Sequence, residues 1–227
     1  EQSEYPLIIC GGPAVRSNPV ILEPFFDALF LGELEPINSN FISTLLTGKK
    51  EYLIKENCSI YSLYCEGLKK IPGFWVPNQD NPIPVKPIKR VYAEDLDSYN
   101  FPVAQVCPIF GKSEENLFPF GEAFYLEVNR GCPYSCRFCI TGAQTKPFRN
   151  RSMASLANIL TQGREMTPFK RVVLIGSAVQ DHPDFLKLCQ FFLDNKFDFS
   201  IPSIRVETLT KEMVELFAQS GDRKSVV

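Results

Sequence analysis

The sequence has almost no net charge, no long apolar run and a single histidine. Its 227 residues carry 24 Lys and Arg against 26 Asp and Glu, a formal net charge of −2. A pI near 5.6 gives no general attraction to nucleic acid or to an anionic membrane surface. No apolar stretch approaches the ~20 residues that span a bilayer, so no membrane association is expected. The opening, "EQSEYPLIIC", is acidic and soon reaches a strand-like run, unlike a signal peptide. The cytosol is therefore the expected compartment. With one histidine, His182, imidazole can supply at most one ligand to any metal site.

Other features are plentiful. Hydrophobic residues make up 44% and charged residues 22%, a composition able to bury a core. The length suits one or two domains. Cysteines stand at 10, 58, 65, 107, 132, 136, 139 and 189, and only three of these cluster. The scattered ones read as free thiols among apolar neighbours. In a reducing compartment, clustered cysteines point to metal or redox chemistry rather than to crosslinks.

The chain reads as three segments. Residues 1–76 begin with "PLIICGG", a strand ending in a glycine turn. In "SNPVILEPFF", Asn18 is positioned to cap a helix with Pro19 at its first position, and Pro24 ends or kinks it. "DALFLGE" is a second strand, which makes the end of an α/β layer domain. "NSNFISTLLTG" predicts a helix with Phe41, Ile42, Leu45 and Leu46 on one face and Gly48 as its stop. Another helix over about 57–70 carries Ile60, Leu63, Tyr64 and Leu68, and "FWVP" reads as a short strand. Residues 77–119 hold prolines at 77, 82, 84, 87, 102, 108 and 119. That density forbids regular helix, so a connector is expected, with Val103, Val106 and Ile109 packed down.

In residues 120–227 strands and helices alternate. "AFYLEVNRG" is a strand, and "SMASLANILTQG" a helix capped by Ser152. "RVVLIGSA" is a buried strand, followed by a helix in "HPDFLKLCQFFLDN". "FDFSIPSIRV" is a strand, and "TKEMVELFAQSG" a helix capped by Thr210 and stopped by Gly221. "RKSVV" opens one more strand. This is the pattern of a (β/α) barrel. At ~30 residues per unit it amounts to about half of one, so the sequence reads as a piece of a longer chain.

"GCPYSCRFC" places Cys132, Cys136 and Cys139 on a loop after the first of these strands, at the end where barrel sites sit. Three thiolates suit zinc or an iron–sulfur cluster. Zinc in a structural site wants a fourth ligand, and His182 could make a Cys3His set. A cubane on three cysteines leaves one iron open.

The spacing CxxxCxxC, with Phe138 just before the third cysteine, resembles the signature of the radical S-adenosylmethionine (radical SAM) superfamily. The resemblance implies that Cys132, Cys136 and Cys139 hold a [4Fe-4S] cluster, with S-adenosylmethionine (SAM) on the open iron. It implies reductive cleavage to a 5′-deoxyadenosyl radical, with Phe138 near the adenine and a flavodoxin or ferredoxin as electron donor. Methyl or methylthio transfer, or another C–H functionalisation, could follow, on a small molecule or RNA. The alternative is a non-catalytic iron–sulfur or zinc module.

"IICGGPAVRSNP…FFDALFLGE" resembles the last strands of a Rossmann-like, cobalamin-binding-type domain. "GSAVQDHPDF" and "IPSIRVETLT" resemble the second and third strands of an elongator-like radical SAM barrel. The implied fold class is α/β: the C-terminal part of that domain, then the first half of a (β/α) partial TIM barrel. The Asp-x-His-x-x-Gly segment of cobalamin-dependent members is absent, which leaves cobalamin itself open. If the barrel is half present, the cluster should form while SAM cleavage is slow.

Ser177, Asp181 and His182 fall at the end of the second barrel strand, and Ser203, Arg205 and Glu207 at the end of the third. Ser177 and Arg205 are candidates to meet the methionine or ribose groups. The other reading is that Asp181 or His182 caps the helix beginning at Pro183. Gly11 and Gly12 could admit a nucleotide tail or simply form a tight turn. Glu33 and Glu35 read as solvating a strand end. Arg130, Arg137, Lys146, Arg149 and Arg151 crowd the cysteine loop. They either offset its negative charge or receive an anionic substrate.

Overall fold

The computed structural model describes residues 6–54, 59–77, 87–106, 122–169 and 171–220. The chain divides into two compact units, Glu1–Glu94 and Asp95–Val227. Ile109, Gly221 and the "RKSVV" segment lie outside the described residues. No described helix is long and apolar enough to cross a membrane.

In the first unit, β1 (Ile9–Cys10) pairs parallel with β2 (Ala28–Phe30), as its apolar runs predict. Between them the prediction needs correction. The α-helix is α1 (Pro13–Ser17), ahead of Asn18, and Val20–Phe25 forms a 3-10 helix. Asn18 follows α1 in extended conformation and its Oδ1 accepts the Val20 N–H at 3.2 Å. Pro24 has no N–H for an α-helical bond, which favours the short 3-10 form.

The next helix, α2 (Asn38–Ile54), runs straight through Gly48 instead of stopping there. A Cβ at Gly48 would lie 2.8 Å from the ring of Tyr64 on α3 (Ile60–Leu68), so the glycine serves close helix approach. Of the four apolar residues expected on one face, Phe41 stacks on Phe74 at 5.5 Å, whereas Ile42 and Leu46 are exposed. Strand β3 (Phe74–Trp75) closes the sheet antiparallel to β2. Ala28, Phe30, Ile37, Leu68, Ile71 and Phe74 form the core beneath it. Glu33 is buried, against expectation, and its Oε2 accepts the Ala93 N–H at 2.9 Å.

The second unit carries the strand–helix alternation. Its strands and helices run β4 (Ala123–Glu127), β5 (Asn129–Arg130), α4 (Thr141–Gln144), β6 (Arg149–Asn150), α5 (Met153–Met166), β7 (Arg171–Ile175), α6 (Phe185–Asp194), β8 (Asp198–Ser200) and α7 (Lys211–Gln219). β4, β7 and β8 are parallel, in that order, with α5 and α6 as crossovers. Ser152 accepts from the Ser155 N–H and Thr210 from the Met213 N–H, the two caps read from the sequence. β8 ends at Ser200, short of the expected strand, because Pro202 has no N–H to extend the ladder.

Phe124, Leu156, Leu174, Leu188, Phe192, Phe199 and Phe217 fill the core. Phe101 and Val103 of the proline-rich segment pack on it, but Val106, expected to do so, is 98% exposed. Gln105 lies along the outer edge of β4. Its side-chain amide accepts the Tyr125 N–H and donates to the Tyr125 carbonyl, both at 2.8 Å.

Candidate functional site

The cysteine loop leaves the sheet at the carboxyl end of β4 and is tied at its base by β5 pairing antiparallel with β6. Gly131 opens it at φ 89°, and a Cβ there would lie 2.5 Å from the Thr145 carbonyl oxygen. Both the backbone angle and the space require glycine. The loop then carries Cys132, half-buried, Cys136, exposed, and Cys139, half-buried. The Cys139 N–H donates to the Cys136 carbonyl at 3.1 Å, which joins the last two thiols in one turn.

The first turn of α4 acts on Cys139. The Thr141 side chain, then the N–H groups of Thr141 and Gly142, draw its thiol below the ordinary range. Donors aimed at sulfur favour thiolate, the form that binds metal. Phe138, beside it, is 93% exposed.

Tyr134, between the first two cysteines, reaches across to the ends of the next two strands. Its hydroxyl donates to Asp181, just beyond β7. That bond to a carboxylate, above all, raises the phenol's pKa. The Arg205 guanidinium lies over the Tyr134 ring, 3.4 Å from its centroid, and its Nη2 donates to Glu207 Oε1 at 2.6 Å. Among the described residues, Asp181 Oδ2 and Arg205 Nη1 are buried without a hydrogen-bond partner. Thus Arg205, expected at a strand end, stands in the loop beyond β8 yet faces the cysteine loop. Ser177 and Ser203 are exposed.

His182 is excluded as a metal ligand. It is 4% exposed. Its Nε2 donates to the Arg151 carbonyl at 2.7 Å and its Nδ1 accepts the Asp184 N–H at 3.0 Å. Both nitrogens are engaged, so the Cys3His arrangement does not form. α6 starts at Phe185 rather than Pro183, with Asp184 as its N-cap and no side-chain cap bond, so neither Asp181 nor His182 caps it.

The basic residues divide by task. Arg130 and Arg151 both pair with Glu127, at 2.8 and 3.2 Å. Buried Arg151 also donates to the Leu96 carbonyl at 2.6 Å. Arg149 donates to the Pro147 carbonyl at 3.0 Å and Lys146 to Ser135 at 2.9 Å. These four side chains thus bond within the protein, while Arg137 is exposed. Gly11 and Gly12 belong to the first unit, where Gly12, at φ 98°, precedes α1 and its carbonyl accepts the Arg16 N–H.

Among the described residues, no three His, Cys, Asp or Glu side chains converge on a point that could hold one metal ion. Thiolates sharing one zinc at about 2.3 Å stand roughly 4 Å apart. Ligands of a cubane bind different irons and need a wider arc. Three soft donors on an open loop have the chemistry of an iron–sulfur ligand set.

Comparison with known proteins bears on the family. Residues 1–77 match the family described as radical SAM proteins, N-terminal, and residues 126–226 match the radical SAM superfamily. An uncharacterized protein of Methanocaldococcus jannaschii is 28% identical over 92% of this chain, which spans 40% of that protein. Structures of the radical S-adenosylmethionine methyltransferase TsrM from Kitasatospora setae share the fold at TM-score 0.58 and 15% identity, over 95% of this chain. One holds tryptophan substrate and a SAM analog, the other cobalamin and a [4Fe-4S] cluster. This chain spans 40% and 41% of them.

Proposed function

The chain belongs to the radical SAM superfamily, and on that premise we propose that it holds a [4Fe-4S] cluster on Cys132, Cys136 and Cys139 and acts on SAM. The observation that carries this reading is the donor set. Three thiols share one loop, and the only histidine is bonded through both nitrogens. When bound, such a cluster supplies the electron for reductive cleavage of the sulfonium.

The remaining work falls to side chains. Arg205 Nη1 and Asp181 Oδ2 are a buried donor and acceptor without partners, which suits the carboxylate and ammonium of an amino-acid group. Phe138 offers an exposed ring for the adenine. Ser177, exposed just past β7, is proposed for a polar contact with the same ligand. A flavodoxin or ferredoxin would deliver the electron. Methyl or methylthio transfer, or another C–H functionalisation, of a small molecule or RNA is the proposed outcome. The proposal stops short of cobalamin, because 15% identity speaks for the fold alone.

Anaerobic reconstitution tests the reading. About four irons and four sulfides per chain are expected, with the brown absorbance lost in Cys136→Ala. Phe138→Ala should keep the cluster and weaken SAM binding by about 1–3 kcal/mol. A cluster that never binds SAM would favour a non-catalytic module. Stoichiometric zinc without sulfide would overturn the assignment.

A further inference from the structure

Tyr134, in the cysteine loop, is held from three sides. Its hydroxyl donates to Asp181 after β7, and its ring lies under the Arg205 guanidinium after β8. Its backbone packs on Gly142, where any Cβ would collide with the Tyr134 carbonyl oxygen. Gly142 in turn sits in the α4 turn whose N–H groups face Cys139. One residue therefore joins the stretch between Cys132 and Cys136 to its surroundings: its backbone meets the turn that holds Cys139, and its side chain meets the segments that follow two core strands.

We infer that Tyr134 is a positioning residue: with Asp181 and Arg205 it latches the loop into a fixed arc before any cluster arrives. The inference rests on reading the three cysteines as the cluster site. It assigns work to a residue that the motif leaves unspecified. Ordering a loop costs backbone entropy at each residue fixed. A cluster bound to a loop already ordered meets less of that cost, so its ligands dissociate less readily. A hydrogen bond to an ionised carboxylate is among the stronger ones available, and a guanidinium over an aromatic face adds to it.

The test uses the whole chain as Tyr134→Phe, Tyr134→Leu and Asp181→Asn. Phe keeps the ring under Arg205 and loses only the hydroxyl. Leu loses both contacts. Asn keeps an acceptor without its charge. In the iron-free proteins, amide exchange across residues 132–139 should quicken about tenfold in Tyr134→Phe and more in Tyr134→Leu, with α5 and α6 protected as before. In the reconstituted proteins, bleaching of the cluster by an iron chelator should quicken in the same order. Asp181→Asn should fall between wild type and Tyr134→Phe on both scales.

Unchanged loop exchange in folded Tyr134→Phe and Tyr134→Leu would overturn the latch. Loss of α5 and α6 protection along with the loop would overturn it too, since that marks a general fold contact. A wild-type chain that takes up no iron or sulfide defeats the cluster reading instead. The iron-free exchange contrast still decides the latch in that case.

Discussion

Cys189 and Cys139 show how far surroundings divide one residue type. Cys189 is fully enclosed on the inner side of α6, and burial pushes its thiol up to about 12. Cys139 is drawn the other way by a hydroxyl and two N–H groups. A thiol raised in the folded state stabilises the fold fully below the unfolded value near 9, and that contribution is lost as pH climbs toward 12. The gap corresponds to about 4 kcal/mol at most. Wild-type stability, measured by denaturant melts, should therefore fall between pH 9 and 12. Tyr61, raised by burial and by its bond to Asp27, adds to the slope above pH 10 in any variant. Cys189→Ala should cost roughly 1 kcal/mol at pH 7 and show a visibly shallower decline. Parallel declines in the two proteins would mean that folding does not raise the Cys189 thiol.

At the scale of elements, the sequence was most legible where period and caps agree. Ser152 and Thr210 cap α5 and α7 as read, and Val172, Val173 and Leu174 of β7 are buried as read, although Ile175 at its end is exposed. Local patterns failed where a distant neighbour decides. Gly48 reads as a helix stop until Tyr64 is placed against it. Ile42 and Leu46 read as core until the helix is rotated by its contact through Phe41. The site divides in the same way. Cysteine spacing is written in nine consecutive letters, whereas the Tyr134–Asp181 bond joins residues 47 apart. Gln105 belongs with these long-range features, since nothing near it in sequence announces a strand to cover. Its amide stands in for a neighbouring strand on the outer edge of β4. Gln105→Ala should cost about 1–2 kcal/mol in denaturant midpoint, the worth of two hydrogen bonds. It should also raise light scattering at high concentration, because a bared strand edge pairs with other chains. A lower midpoint with unchanged scattering would assign Gln105 to stability alone.

For the whole molecule, the division into two units separates what two probes can see. The single tryptophan, Trp75, is 5% exposed in the core of the first unit, beside Val15 and Leu29. Every proposed cluster ligand lies in the second. Each unit has its own apolar core, the condition for unfolding as a separate cooperative body. A group that binds only the folded form stabilises the unit that holds it, by mass action. Heating the reconstituted chain under anaerobic conditions should therefore give two curves. Trp75 fluorescence reports the first unit, and the cluster's visible absorbance the second. Far-ultraviolet dichroism, which sees α5, α6 and α7 as well as α2 and α3, should resolve both steps. Removing iron with a chelator should lower the later dichroism step by several degrees and leave the Trp75 midpoint within about a degree, because the lost ligand belonged to the other core. If both midpoints drop together, the units unfold as one body and the cluster stabilises the whole chain. That outcome would count against two independent cores, while leaving the cysteine assignment intact.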